Sequence, residues 1–304
     1  MKIVDFAKFY NNIKIDDYIE KDVSSVYHYT SPNGLSGIIN NGKLRFTDRF
    51  YLNDKTEGIY VLNLCIENID RFDFLDNRFR RVLQKKCEDR IEQPQRDSFY
   101  VYQCCFSTDK DSLCLWNYYT KSEGIKGYNI KINVDELASK ITPTPYKEDK
   151  IPKLRYGKVI YDKEKQLKIL YEIVKLFFDY NKKDTISGEY FVCEYLVDKI
   201  MNLGVFFKMD CFKVENEFRL VFDLFLNEDN TYAVIKDKQE FYEKNGVFIP
   251  YVDIPFNKEL LTGICISPTL DYVATKESIL RMTGSNYKNI NVKTIYESEI
   301  PVRY

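Results

Sequence analysis

The sequence predicts an α+β fold, a mixed or antiparallel β core carrying helical insertions, and three observations lead there. Aromatic and β-branched runs at Val26–Thr30 and Phe99–Phe106, and several more from Phe218 onward, read as strands. Apolar residues recur at helical spacing through 73–92, 163–182 and 188–203. Strand-like segments bracket those helices, which favours one domain spanning 1–304 with helical insertions at about 54–95 and 163–208.

The elements follow in order. Residues 1–25 form a polar lead-in with a short helix, then the strand containing His28. Ser31 suits the cap of the next helix, with Pro32 in its first turn, Leu35, Ile38 and Ile39 as its stripe and Gly42 as its stop. Leu44 and Phe46 alternate with charges as a short strand. Asp54 with Glu57 resembles a capping box opening a helix that carries Ile59, Leu62, Cys65, Ile66 and Ile69. A second helix over 73–92 uses Phe74, Phe79, Val82, Leu83 and Cys87. After the strand at 99–106 come a short helix, Leu113–Thr120, and a strand, Gly127–Ile132. The proline-bearing stretch 141–153 reads as irregular. Strands are expected at 218–226, 231–236, 246–252, 260–266 and 290–296, with a helix near 273–283.

Composition narrows the function classes. Forty-five basic against 46 acidic residues leave a net charge of −1, so no global basic field points to nucleic acid or membrane. Eight cysteines form no CxxC pair, and with a single histidine no metal site is expected. They read as small buried hydrophobes of a reducing compartment. Met1–Asp5 does not open a signal peptide and no apolar run approaches spanning length, so a cytoplasmic protein without membrane association is expected. P-loop, GxGxxG, GxSxG and HExxH patterns are absent from the sequence.

Four clusters can carry chemistry: His28-Tyr29-Thr30; Leu52-Asn53-Asp54 with Glu57; Phe106-Ser107 through Trp116 and Tyr119; and Glu215-Asn216-Glu217-Phe218-Arg219. Each has a plain structural reading beside the functional one. His28, the only histidine, is either a satisfied core residue or a donor and acceptor near neutral pH. Asn53 and Asp54 suit a helix cap, and Trp116 suits core packing. Along 215–224 the alternation turns Phe218, Leu220, Phe222 and Leu224 to one face and Glu215, Glu217 and Arg219 to the other. That polar face fits a cleft wall or an ordinary outer sheet surface.

The order His-Tyr-Thr-Ser, Gly-Lys-Leu-Arg-Phe, Leu-Asn-Asp-x-x-Glu, Cys-Phe-Ser, Leu-Trp-x-x-Tyr and Glu-x-Glu-x-Arg resembles domain-of-unknown-function family 2971, over roughly residues 25–270. That family in turn is distantly similar to ADP-ribosyltransferases of the DNA-modifying toxin type. The resemblance implies a split β core and an NAD-consuming glycosyl transfer, with NAD as substrate and nucleic acid or protein as acceptor. It also implies a role as toxin or phage-defence effector. Glu217 would steady the oxocarbenium ion, Glu215 would orient the acceptor, and His28 would hold a ribose. The NAD-binding set would be His28, Tyr29, Thr30, Arg45, Asn53, Trp116, Tyr119 and Arg219. Arg45 and Arg49 would meet the diphosphate, and Trp116 or Tyr119 would stack on nicotinamide. The Leu-Trp-x-x-Tyr-Tyr run departs from the usual tyrosine-on-strand pattern, which leaves the stacking residue open. The alternatives are NAD hydrolysis at the same site and a non-catalytic nucleotide- or nucleic-acid-binding module.

Overall fold

The computed structural model describes residues 2–93, 99–120, 124–141, 143, 153–183, 188–225 and 239–302. In chain order the elements are α1 (Lys2–Asn12), β1 (Ser25–Thr30), α2 (Pro32–Asn41), β2 (Lys43–Asp48), α3 (Tyr60–Glu67), α4 (Asn77–Glu92), β3 (Phe99–Ser107), α5 (Leu113–Tyr119), β4 (Tyr128–Asn133) and α6 (Leu137–Lys140). They continue as β5 (Arg155–Lys158), α7 (Lys163–Lys183), α8 (Gly188–Gly204), β6 (Glu217–Phe225), β7 (Gln239–Lys244), β8 (Val247–Pro255), β9 (Leu261–Ile266), α9 (Tyr272–Thr283) and β10 (Ile295–Glu297). The architecture is α+β with a mixed, mostly antiparallel open sheet. The chain divides into two compact units, each assembled from separated segments.

The first unit, Met1–Glu20, Leu52–Ser98 and Gly157–Lys213, is helical. Aromatic side chains seat α1 on α7 and α8: Phe6 meets Tyr180, Phe191 and Tyr195 edge-on, and Phe9 stacks on Tyr180 at 4.3 Å. Helices α4 and α8 are joined by charge, Arg90 reaching Glu194 and Asp198 while Lys86 also pairs with Glu194. Gly204 lets α8 approach α3, since a Cβ there would lie 2.3 Å from Val61 Cγ1.

The second unit, Lys21–Tyr51, Phe99–Tyr156 and Val214–Tyr304, holds the sheet. Its order is β10-β9-β4-β1-β3-β2-β8-β7, with β6 added to β3 and β5 to β6. β6 pairs with all of β3, from Phe99↔Phe225 to Ser107↔Glu217. The other edge of β3 is shared: β1 meets it only at Tyr27↔Ser107, and β2 only at Thr47↔Gln103 and Asp48↔Tyr102. β1 and β2 therefore fork along β3, leaving Cys104–Phe106 outside both ladders. Apolar residues of the inner face, among them Val26, Phe46, Cys104, Phe106, Phe218, Leu220, Ile130 and Ile264, pack with Leu35 and Ile39 of α2 and Ile279 of α9.

Helix signals in the sequence translate directly. Gly34 N–H donates to Ser31 Oγ at 3.1 Å and Gly42 stops α2 at φ 61°. Asp76, which starts α4 at Asn77 and not at 73, and Asp271, before α9, are caps not singled out from the sequence. The capping box expected at Asp54 does not form, because α3 begins six residues later. Asp54 Oδ1 instead accepts from Thr56 N–H and Oγ1 at 2.8 and 2.7 Å, a side-chain turn that competes with helix. The strand expected over 290–296 is confined to Ile295–Glu297. The strand expected at 231–236 lies outside the described residues. Strands β5 and β7 were not foreseen. β7 is polar and mostly exposed, and it exists because Asn245 (φ 52°) and Gly246 (φ 78°) make a tight hairpin turn with β8.

Candidate functional site

The candidate site is built around the fork on β3. His28 Nδ1–H donates to the Cys105 carbonyl at 2.8 Å, so the ring supplies a hydrogen bond where the β1–β3 ladder has parted. A carbonyl only accepts, which puts the proton on Nδ1 and leaves Nε2 as an acceptor. Burial pushes the His28 pKa below its ordinary value, with the Cys105 bond opposing that shift in part.

Across β3 from the fork, Arg219 stands opposite Cys105, and Glu217 opposite Ser107, which in turn faces Tyr27. Arg219 Nε and one terminal nitrogen donate to the two Glu217 carboxylate oxygens at 2.9 and 3.0 Å. The pair is buried, with Arg219 at 0% and Glu217 at 6% exposure. A buried bidentate pair fixes the carboxylate's orientation, because breaking it would strand a charge away from water. His28, Arg219 and Glu217 thus all border Cys105–Ser107 of β3.

They do not share one sheet face. Alternation places Glu217, Arg219, Ser107 and Tyr27 outward, and His28 inward beside Phe106, whose ring lies 5.2 Å away. Trp116 also lies outward, edge-on to Tyr29 at 4.8 Å and packed with Leu115, Ile125 and Cys265. Register therefore separates His28 from Trp116, and only the in-plane reach of the imidazole brings His28 to the fork.

Glu215 departs from the strand pattern. It ends a 3-10 turn, Asp210–Glu215, and Asn216 follows at φ 41°, so the alternation starts only at Glu217. The turn is tied to the end of β3: Ser107 Oγ donates to the Glu215 carbonyl at 2.7 Å, Thr108 N–H donates to the Asn216 carbonyl at 2.8 Å, and Asn216 Nδ2 donates to Asp109 Oδ2 at 2.8 Å. Cys114 of α5 is close enough for the Glu215 charge to add to burial in raising its thiol pKa.

The remaining predicted residues are placed as follows. Tyr29 Oη donates to the Asp109 carbonyl and accepts from Ser112 N–H, which holds the loop before α5, and burial raises its pKa. Thr30 sits in a glycine-lined corner, because a Cβ on Gly34 would meet its Oγ1 at 2.0 Å and one on Gly127 its carbonyl at 2.6 Å. Arg45 donates twice to Asp253 and lies 3.6 Å from the Tyr251 ring centroid, on the outer face of β2 and β8. Tyr119 packs at the border of the Trp116 cluster. Asn53 is exposed and belongs to the helical unit.

Sequence reasoning passed over two acids. Asp111 accepts Trp116 Nε1–H at 2.7 Å, Ser298 Oγ–H at 2.8 Å and Glu299 N–H at 2.7 Å. Asp48, buried at the end of β2, accepts from Phe50 N–H, and burial pushes its pKa up to about 6. No sequence pattern marks either one; both are defined by contacts to distant or folded-back chain. No group of three or more His, Cys, Asp or Glu side chains suited to a metal occurs among the described residues. No helix among them is long and apolar enough to cross a membrane.

The fold and fork define a sheet-based unit with a buried acid at a forked strand. Residues 115–220 match the family described as Protein of unknown function (DUF2971), a stretch that includes Trp116, Tyr119, Glu215, Glu217 and Arg219. No curated protein and no solved structure matches the chain.

Proposed function

We propose that the sheet unit binds NAD and cleaves its nicotinamide–ribose bond, passing ADP-ribose to a nucleic-acid or protein acceptor. The observation that supports this reading is the buried Glu217–Arg219 pair on the outer face of β6, beside the stretch of β3 whose Cys105 carbonyl is held by His28 from the inner face where β1 and β2 part. Glycosidic cleavage through a cationic transition state calls for a placed carboxylate. Glu217 is placed by Arg219, and Glu215, outside the strand, is left to orient the acceptor. A role as toxin or phage-defence effector follows from the same resemblance.

The test is nicotinamide release from NAD by wild type and Glu217→Gln, with and without DNA, RNA or lysate protein, at temperatures where both remain folded. Release that falls by about 10²–10⁴ in the variant supports the enzyme. Release needing no acceptor identifies hydrolysis. No release from wild type with any acceptor overturns the reading.

One observation favours a second reading, a nucleotide-binding module without turnover. Both Glu217 oxygens are engaged by Arg219, which offsets the negative charge that a developing cation would need. Saturable NAD binding with no nicotinamide release would select it.

A further inference from the structure

On the outer face of the sheet, Tyr29, Asn129 and Cys265 lie side by side across β1, β4 and β9. Trp116 stands over Tyr29, and Tyr27, Tyr119 and Tyr296 border the cluster. What lies across this aromatic group, besides α5, is the segment after β10, which has no regular structure and applies Ile300 and Val302 to it. Ser298 N–H donates to the Ile266 carbonyl at 2.9 Å and Lys110 pairs with Glu299 at 3.4 Å, while Asp111 accepts Ser298 Oγ–H and Glu299 N–H and also accepts the Trp116 indole. The same carboxylate therefore orients the ring and latches the segment.

A second observation points to an occupant. Asn129 is fully buried; its Nδ2 donates to the Lys110 carbonyl at 2.7 Å, but its Oδ1 has no hydrogen-bond partner among the described residues. A buried acceptor without a donor is uncommon in a folded core and costs stability. Here it lies in the same layer as the aromatic rings.

We propose that Ser298–Val302 is a displaceable cover, and that its release lets a planar heteroaromatic ring bearing an amine or amide N–H stack on this cluster and donate to Asn129 Oδ1. The inference rests on the nucleotide reading above, which supplies such a ring at either end of NAD. Two aliphatic side chains competing with a flat ring for the same aromatic surface lower apparent affinity by the fraction of time the cover is closed.

Trp116, the only tryptophan, reports on the cover directly. The experiment compares full-length wild type with Ile300→Ala/Val302→Ala, both substitutions at half-buried positions, so that folding is retained. Acrylamide quenching of Trp116 should increase in the variant, and calorimetric affinity for nicotinamide or for adenosine should rise by about tenfold. The two probes tell which end of the dinucleotide is taken. Asn129→Leu in the same background should cancel the gain; should that protein not fold, Asp111→Asn alone should raise both quenching and affinity. Unchanged quenching overturns the proposal. So does increased quenching with affinity for both probes within twofold of wild type. A gain in ring binding with no NAD cleavage removes the enzyme reading alone, whereas NAD cleavage by wild type with no gain removes the cover alone.

Discussion

Arg219 is wholly buried, and its two donors to Glu217 make each residue the condition for the other. Replacing Glu217 by Gln keeps the shape but leaves a guanidinium facing a neutral amide, so we expect a loss of about 2–4 kcal/mol in denaturant-derived stability. Activity comparisons must therefore be made where the variant is still folded. Asp48 works in the opposite sense. Its folded pKa, about 6, lies above the ordinary value of 3.8, so the native state binds that proton more tightly than the unfolded chain. Its contribution is thus most favourable in acid and is lost as pH rises from about 4 through about 6. Asp48→Asn keeps the acceptor for Phe50 N–H and removes the charge. We expect it to be more stable than wild type at pH 8 by about 1–3 kcal/mol, with the difference vanishing near pH 4 in melting experiments.

Among the elements, the corner between the end of β1 and the start of β4 leaves no room for a side chain. A Cβ at Gly127 would stand 2.5 Å from the Thr120 side chain and 2.6 Å from the Thr30 carbonyl. Gly127→Ala should cost about 1–3 kcal/mol, whereas Gly37→Ala, in α2 with nothing nearby, should be neutral or mildly stabilising, both read by urea titration. This contrast also marks what was legible in the sequence. The α+β class, the cap and stop of α2, and the apolar face of β6 were readable because each depends on neighbours within one or two turns of chain. Alternation in β6 was right from Glu217 onward and wrong at Glu215, because a left-handed Asn216 breaks the period. Asp54 was misread because an Asx turn and a helix cap use the same residue types. The fork on β3, the Glu217–Arg219 bond and the Asp111 latch were not legible, since they depend on which strands share an edge.

At the scale of the molecule, all eight cysteines are free thiols, five of them buried. Denatured, unreduced protein should titrate eight thiols with a chromogenic disulfide; native protein should react fastest at exposed Cys211, more slowly at Cys105 and Cys114, and at the other five only on unfolding. Cys211→Ser should abolish the fast phase. Both compact units are stitched from segments far apart in the chain, and α1 gives this a temporal side. Its partners Tyr180, Phe191 and Tyr195 are synthesised more than 160 residues after Phe6 and Phe9. At translation rates of about 5–20 residues per second, the aromatic face of α1 waits on the order of 10–40 seconds for its seat. During that interval it is a greasy patch on a nascent chain, and a chaperone binding site in all but name.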